Sequence, residues 1–141
     1  MKQLVKYITI LFAFIIYGCN DVDTKDLKEL NGYWEIDKAI MPNGEEKDYT
    51  INSSIDFFQL DSLKGGFRQK LMPQFNGEYL TNDLQENFTI STEGSEVYLL
   101  YKTDYASWKE EVVKINKEEF VVKNENGIEY FYKRPVPFSL K

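Results

Sequence analysis

Short segments rich in aromatic and β-branched residues recur along this chain, separated by turn residues. Two of the separators are Asn-Gly pairs, Asn76-Gly77 and Asn126-Gly127, which favour tight hairpin turns. The segments start roughly 8–12 residues apart, a spacing typical of antiparallel sandwiches and barrels. No stretch keeps an apolar period of about 3.6 residues, as an amphipathic helix would. We therefore predict an all-β fold, an antiparallel up-and-down β-barrel of about 8–10 strands.

The expected strands follow a short helical turn near the start of the domain. The turn is flanked by Leu27 and Leu30, with Asp26 as its candidate N-cap. In the first strand, alternation would place Trp34, Ile36 and Lys38 on one face. The strands are predicted at residues 32–40, 55–60, 67–72, 78–80, 87–91, 97–101, 108–115, 120–122 and 128–132.

The first 18 residues have the composition of a bacterial export signal. Lys2 and Lys6 give a short cationic region, and an uncharged apolar run follows at residues 7–17. A membrane-spanning helix needs about 20 apolar residues, and this run has only about 11. We predict that residues 1–18 are a signal peptide and that residues 27–141 form the barrel domain.

The tetrapeptide Ile16-Tyr17-Gly18-Cys19 resembles the lipobox of bacterial lipoproteins, with a large residue at Tyr17 where a small one is usual. The resemblance implies that the chain is cut after Gly18 and that Cys19 carries acyl chains such as palmitate. Two or more acyl chains anchor a protein stably to a membrane. The polar, acidic residues 19–26 would then be a lipidated tether to the envelope of a Gram-negative cell, at the periplasmic or surface face of the outer membrane. The alternative is an ordinary secretory signal.

Composition excludes several classes of function. The formal net charge is −6, which disfavours nucleic acid as a partner. The chain has no histidine, so it lacks the commonest general base and metal ligand. The single cysteine, Cys19, leaves no disulfide available. We predict a protein that is not an enzyme and has no cofactor.

The acidic residues do not form a predicted site. Neighbouring residues on a strand point to opposite faces, so the Glu110-Glu111 and Glu118-Glu119 doublets do not converge. We interpret both as parts of a solvated face. The acidic residues of the tether lack the glycine and distal glutamate of a calcium loop. No metal site is expected.

Three short motifs together resemble the lipocalin family and the small lipocalin-like lipoproteins of Gram-negative bacteria. Gly32 and Trp34 match the Gly-x-Trp signature at the start of the first strand, and Thr103-Asp104-Tyr105 matches the later Thr-Asp-Tyr motif. Arg134 follows the last predicted strand, where the family has an arginine that packs on the tryptophan. The resemblance implies that these residues are structural, with Trp34 and Arg134 closing one end of the barrel.

The resemblance also implies binding without catalysis. Lipocalins hold apolar small molecules inside the barrel, and candidate cavity residues here are Phe57, Tyr79, Tyr98, Trp108 and Tyr130. Alternatively, these aromatic side chains fill the core, since small barrels can be packed solid. The expected partners are the membrane, through the lipid anchor, and either an apolar small molecule or an envelope protein. The other hypothesis is a solid barrel that serves as an accessory, structural or inhibitor/immunity subunit of an envelope assembly.

Overall fold

The computed structural model describes residues 22–50 and 52–136. The predicted signal peptide and the first three residues of the predicted tether, Cys19 among them, lie outside the described residues. The described chain begins with a 3-10 helix, Thr24–Leu30, and continues in nine strands. These are β1 Gly32–Ile40, β2 Glu46–Asp48, β3 Ile55–Ser62, β4 Gly65–Pro73, β5 Tyr79–Glu93, β6 Glu96–Lys102, β7 Ser107–Ile115, β8 Glu119–Lys123 and β9 Glu129–Lys133.

The strands form one antiparallel sheet that closes on itself. From β3 to β9 each strand pairs with the next along the chain, and β1 pairs with both β3 and β9. Eight strands thus complete a barrel, while β2 lies outside the ring against the end of β1. The predicted all-β, up-and-down antiparallel barrel with a short N-terminal helix is confirmed.

Some local predictions differ from the structure. The helix begins at Thr24, inside the predicted tether, because the Asp23 carboxylate accepts a hydrogen bond from Lys25 N (3.0 Å) and caps it instead of Asp26. The unpredicted β2 is Glu-Lys-Asp, fully exposed, and is held by pairing to β1 rather than by burial. The segments predicted at 78–80 and 87–91 are one strand, β5.

A β-bulge in β1 shifts the inward-facing residues of that strand. Ile36 pairs with Tyr132, but the next pair joins Lys38 to Phe131, so one residue is skipped. Trp34 and Ile36 pack in the core as predicted, whereas Ala39 rather than Lys38 is fully buried beyond the bulge. The Lys38 ammonium instead lies 5.0 Å from the centre of the Phe131 ring and pairs with Glu46.

One end of the barrel is closed by the 3-10 helix. Leu27 and Leu30 on the helix are buried against Trp34 and the rest of the core. Above this layer the interior is filled mainly by aromatic and branched side chains, including Phe58, Phe88, Leu99, Tyr101, Val112, Phe120, Val122 and Tyr132. Large rings in contact bury much apolar surface per residue, which stabilises a small domain.

A bulge interrupts the pairing of β4 with β5, and the hairpin beyond it bends over the outer surface of β1. Gln69 pairs with Gln85 and Leu71 with Thr81, so three residues of β5 lie opposite Lys70 alone. Asp83 within this bulge has φ of 58°, a left-handed conformation that aspartate tolerates better than most residues. The resulting arm, residues 71–81, places Tyr79 against Tyr33 on the outer surface of β1.

Candidate functional site: the barrel mouth and its two ends

Arg134 and Trp34 seal the closed end of the barrel. The Arg134 guanidinium carbon lies 3.6 Å from the centre of the Trp34 ring, and Trp34 is fully buried. The indole Nε1 donates a hydrogen bond to Leu30 O at 2.9 Å, which ties the helix to β1. The structure brings these two motif residues together, and the contacts described for them are with the helix, with β1 and with each other.

The guanidinium of Arg134 donates to four backbone carbonyls from three segments. Its Nη2 bonds to Glu29 O (2.7 Å) and its Nε to Lys117 O (2.9 Å), while Nη1 reaches Tyr33 O (3.1 Å) and Asn31 O (3.3 Å). The side chain therefore joins the helix, the start of β1 and the β7–β8 turn. A planar fork of donors suits this task, and a lysine ammonium does not.

Gly32 is required by this arrangement. Its φ is 111°, where other residues are strained, and a Cβ placed there would lie 3.2 Å from Arg134 Nη1. The glycine of the Gly-x-Trp motif thus leaves room for the arginine.

The Thr-Asp-Tyr motif forms the β6–β7 turn at the opposite, open end. Thr103 Oγ1 accepts hydrogen bonds from Tyr105 N (3.3 Å) and Ala106 N (3.2 Å). Tyr105 is 98% exposed, and Asp104 is also exposed. Of the three residues, only Thr103 has a visible role in shaping the turn.

A cavity of about 590 Å³ opens at this end of the barrel. The β8–β9 turn forms one side of its rim through Asn124, Glu125 and Asn126. Its walls combine aromatic and charged side chains, including Tyr49, Asp56, Arg68, Lys70, Trp108, Glu110, Tyr130 and Tyr132. A second opening of about 320 Å³, near the loop between β2 and β3, shares several of these residues. The barrel is therefore packed at its closed end and hollow at its mouth.

Arg68 on β4 is at the centre of a charged layer in the cavity floor. Its side chain is 13% exposed, its Nε donates to Glu86 Oε1 at 3.0 Å, and its Nη1 lies 3.6 Å from Glu110 Oε1. The guanidinium carbon also lies 4.6 Å from the centre of the Tyr101 ring, which itself stacks on Trp108 at 5.1 Å. Burial of a cation is tolerated here because two carboxylates and an aromatic face surround it.

The surroundings shift the pKa values of this layer. Burial alone would lower the pKa of Arg68, but Tyr101, Glu86 and Glu110 more than offset it and raise that pKa, so the guanidinium stays charged. Burial raises the pKa of Glu110, and the attraction of Arg68 offsets this only in part. Burial likewise raises the pKa of the Tyr101 and Tyr132 hydroxyls, which therefore remain protonated.

Two buried polar atoms at this level make no hydrogen bond within the described residues. They are Oδ1 of Asp56 and the hydroxyl of Tyr101. Asp56 Oδ1 does lie 3.2 Å from the ammonium of Lys70, which reaches in from the mouth and is itself half-exposed. A buried polar atom without a hydrogen bond costs free energy, so these atoms are candidates for contact with a ligand or water.

The five aromatic residues predicted to line a cavity divide into two groups. Trp108 and Tyr130 do line the mouth. Phe57, Tyr79 and Tyr98 instead lie on the outside, because they alternate with the inward-facing Phe58 and Leu99 or belong to the bent arm. Their proposed place in the cavity is corrected accordingly.

The outer aromatic residues have partners of their own. Tyr33 packs on Phe57 and on Tyr79, each with ring centres 5.1 Å apart, and Phe57 contacts Phe67 at 6.2 Å. Tyr98 donates a short hydrogen bond to Glu96, which raises its pKa to about 12. These contacts fix the outer surface and do not approach the cavity floor.

Sequence reasoning missed the charged layer, although one signal for it was present. Glu86, Asp56 and Glu110 each lie two residues before a buried apolar residue of the same strand, namely Phe88, Phe58 and Val112. Alternation therefore turns all three carboxylates inward. The prediction that Glu110 belongs to a solvated face is wrong, since its side chain is only 13% exposed.

Within residues 22–50 and 52–136, no three histidine, cysteine or acidic side chains are grouped closely enough to hold a metal ion. The helix in this part of the chain is not long and apolar enough to cross a membrane.

No protein-family model matches the chain, and no curated protein shows a significant match. Among solved structures, the chain is similar to a lipocalin-like protein from Bacteroides uniformis, with 14% sequence identity and a TM-score of 0.48. That likeness covers 76% of this chain and 99% of the other.

Proposed function

We propose that this protein is a lipid-anchored, lipocalin-like lipoprotein of the cell envelope that binds a small molecule in the mouth of its barrel, without catalysis. The observation that supports it most is the cavity of about 590 Å³ at the open end. Ligand sites in proteins are commonly clefts of about 300–1,000 Å³ with a few polar groups among aromatic walls. Trp108, Tyr130 and the Arg68 layer supply that combination.

The lining changes the kind of ligand that we propose. The sequence resemblance implied an apolar molecule, but the floor of the cavity holds ionised and hydrogen-bonding groups. A purely apolar ligand would leave those groups without water or partners, at a cost in free energy. The proposed ligand therefore has a polar or charged part as well as an apolar part.

The experiment is native mass spectrometry of the full-length protein purified from its own host. A co-purifying small molecule supports the proposal. The variant Asn126→Trp narrows the rim of the cavity and should lose that molecule, whereas Glu118→Trp, in the β7–β8 turn at the closed end, should retain it. A molecule retained equally by both variants, or found with neither protein nor variants, would contradict binding at the mouth.

The proposed anchor is Cys19, through the lipobox resemblance. Two or more acyl chains give stable membrane attachment. Cys19→Ala should move the protein from the membrane fraction to the soluble fraction. A Cys19→Ala protein that still sediments with outer membranes would contradict lipidation at this residue.

A protein partner is the second candidate, and a separate observation favours it. The bent arm and the strand beyond it expose Met72, Tyr79, Leu80 and Leu84, a concentration of apolar side chains on one hairpin. Exposed apolar patches often mark interaction surfaces. The double variant Leu80→Ser/Leu84→Ser should then lose a co-purifying envelope protein while retaining any cavity ligand. If the double variant keeps both the co-purifying protein and the cavity ligand, the exposed apolar side chains are not a binding surface for that protein.

A further inference from the structure

The inward-facing charges of the cavity do not balance. Three carboxylates, those of Asp56, Glu86 and Glu110, lie in this layer, and Arg68, which contacts Glu86 and Glu110, is the one mostly buried cation among the described residues that pairs with them. Lys70 is the next nearest cation, but its side chain is 57% exposed and it reaches only Asp56. With every group ionised, the layer has three negative charges against these two positive ones.

Other charged residues at the rim do not correct this imbalance. Lys109 contributes to the rim, yet its ammonium lies 4.6 Å from the centre of the outward-facing Tyr98 ring. The carboxylate of Glu125 accepts a hydrogen bond from the backbone N of Lys109 at 2.8 Å. Neither side chain supplies positive charge to the floor.

The carboxylates are also incompletely satisfied. Asp56 is 5% exposed, lines the cavity and has one oxygen without a hydrogen bond. Glu86 takes the 3.0 Å contact with Arg68, so Glu110 is left at 3.6 Å, beyond the distance of a good hydrogen bond. Burial raises the pKa of Glu110, as expected for a carboxylate with too little compensation.

The walls above these carboxylates are suited to a cation with an apolar body. Trp108, Tyr130 and Tyr49 line the same cavity. Aromatic faces attract cations and also bury apolar surface, whereas they offer nothing to an anion. An anion would in addition have to approach three carboxylates, and the one buried guanidinium is already paired with two of them.

We infer that the cavity binds a small organic cation, with an ammonium or guanidinium group held between Asp56 and Glu110 and an apolar or aromatic body against Trp108 and Tyr130. This inference rests on the proposed function, and specifies the ligand class for the same site. The head group would supply the missing positive charge and donate a hydrogen bond to Asp56 Oδ1, whose one charged neighbour in the described chain, the Lys70 ammonium, lies 3.2 Å away without a hydrogen bond. Hydrogen bonds between charged partners are stronger than neutral ones, so charge should dominate selectivity.

The test uses three probes with the same ring and different charge: 2-phenylethylamine, 2-phenylethanol and phenylacetate. Binding to the full-length protein is followed by tryptophan fluorescence, since the chain has only Trp34, at the closed end, and Trp108, in the cavity. We expect the amine to bind about tenfold or more tightly than the alcohol, and phenylacetate to bind most weakly. Trp108→Phe should abolish the signal.

The variants Asp56→Asn and Glu110→Gln should each reduce the preference for the amine by about tenfold. Glu111→Gln is the matched control, because Glu111 is the neighbour of Glu110 and faces outward beside Tyr98. Thermal melts establish that each variant is folded.

The outcomes separate this inference from the proposed function. If the alcohol or phenylacetate binds as well as the amine, or if Asp56→Asn and Glu110→Gln leave the preference unchanged, the cationic ligand is wrong and small-molecule binding stands. A co-purifying molecule without a positive charge would also show that the cationic ligand is wrong while small-molecule binding stands. If none of the probes binds and native mass spectrometry finds no small molecule, both are wrong.

Discussion

Arg134 packs over the ring of Trp34, with 3.6 Å between the guanidinium carbon and the ring centre, although the two residues are 100 positions apart in the sequence. The contact joins the two ends of the barrel sequence at the point where β1 and β9 close the ring. It also brings the guanidinium to carbonyls of the helix and of the β7–β8 turn. The closed end is therefore held by one side chain acting on several segments.

Removing that side chain should destabilise the whole domain. We expect Arg134→Ala to lower the free energy of unfolding by about 2–4 kcal/mol, because hydrogen bonds from a charged donor to the backbone are lost. Arg134→Lys should be nearly as damaging, since an ammonium cannot reach three segments at once. Denaturant unfolding measures both, with the exposed Lys117→Ala as control. A change in Arg134→Ala of under about 0.5 kcal/mol would contradict the role described.

Gly32→Ala should weaken the same end by a different mechanism. The positive φ strains any residue with a Cβ, and that Cβ would crowd Arg134 Nη1. We expect a loss of about 1–3 kcal/mol in unfolding free energy. In an Arg134→Ala background the cost should fall but not vanish, since the crowding disappears and the backbone strain remains. If Gly32→Ala lowers the free energy of unfolding equally in the original protein and in Arg134→Ala, the crowding of Arg134 by the Cβ is unimportant.

The sequence predicted the barrel and its closed end because both follow from local patterns. Hairpin turns, strand alternation and the Gly-x-Trp motif are each contained within a few residues, as at Asn126-Gly127 and Trp34. The bulge at Ile36 was not predictable from such patterns, because it arises from pairing with β9. It moved Lys38 out of the core and left Ala39 inside.

The charged layer was missed for a related reason. Adjacent glutamates do face opposite sides of a strand, as predicted for Glu110 and Glu111, and an inward carboxylate needs a partner to offset the cost of its burial. The partner, Arg68, lies 42 positions away in sequence from Glu110, on a strand that is not its neighbour. Closure of the barrel brings the charge of Arg68 to Glu110. The residue pattern of a single strand cannot predict this contact.

Arg68→Met should lower the free energy of unfolding, because the buried carboxylates of the charged layer lose their cation. Removing the cation leaves Glu86 and Glu110 buried without their main partner, and we expect a loss of about 3–5 kcal/mol at neutral pH. Adding Glu110→Gln to the Arg68→Met variant should recover part of the loss, because one uncompensated charge is removed. Chemical denaturation of the single and double variants measures this. If the double variant is less stable than Arg68→Met alone, the interpretation of Glu110 is wrong.

The pKa of Glu110 makes stability depend on pH. Burial raises it above the unfolded value of 4.5, so the folded protein retains this proton to higher pH than the unfolded chain. The contribution of Glu110 to the free energy of unfolding is therefore fully present below pH 4.5. It is lost as the pH rises through the pKa of Glu110 in the folded protein. The groups acting on Glu110 are Arg68, Asp56, Glu86 and Trp108.

Glu110→Gln should flatten this dependence. Relative to the original protein, the variant should gain melting temperature as the pH rises above 4.5 through the folded pKa of Glu110, because glutamine has no proton to lose. Glu111→Gln, on the outer face, should track the original protein across the range. Parallel pH profiles for the original protein and Glu110→Gln would contradict a raised pKa at Glu110.

The stack of Tyr79 on Tyr33, with ring planes 20° apart, should hold the bent arm against the barrel. Tyr79→Ala removes that contact, and aromatic pairs contribute about 0.5–1.5 kcal/mol beyond buried area. We expect a small loss of global stability and a larger increase in local opening, measured as faster cleavage after Glu78 by a glutamate-specific protease. Tyr105→Ala, which removes a tyrosine that is 98% exposed, should leave cleavage after Glu78 unchanged. If Tyr79→Ala is cleaved there at the original rate, residues other than Tyr79 hold the arm, and the outer aromatic contacts are dispensable for its position.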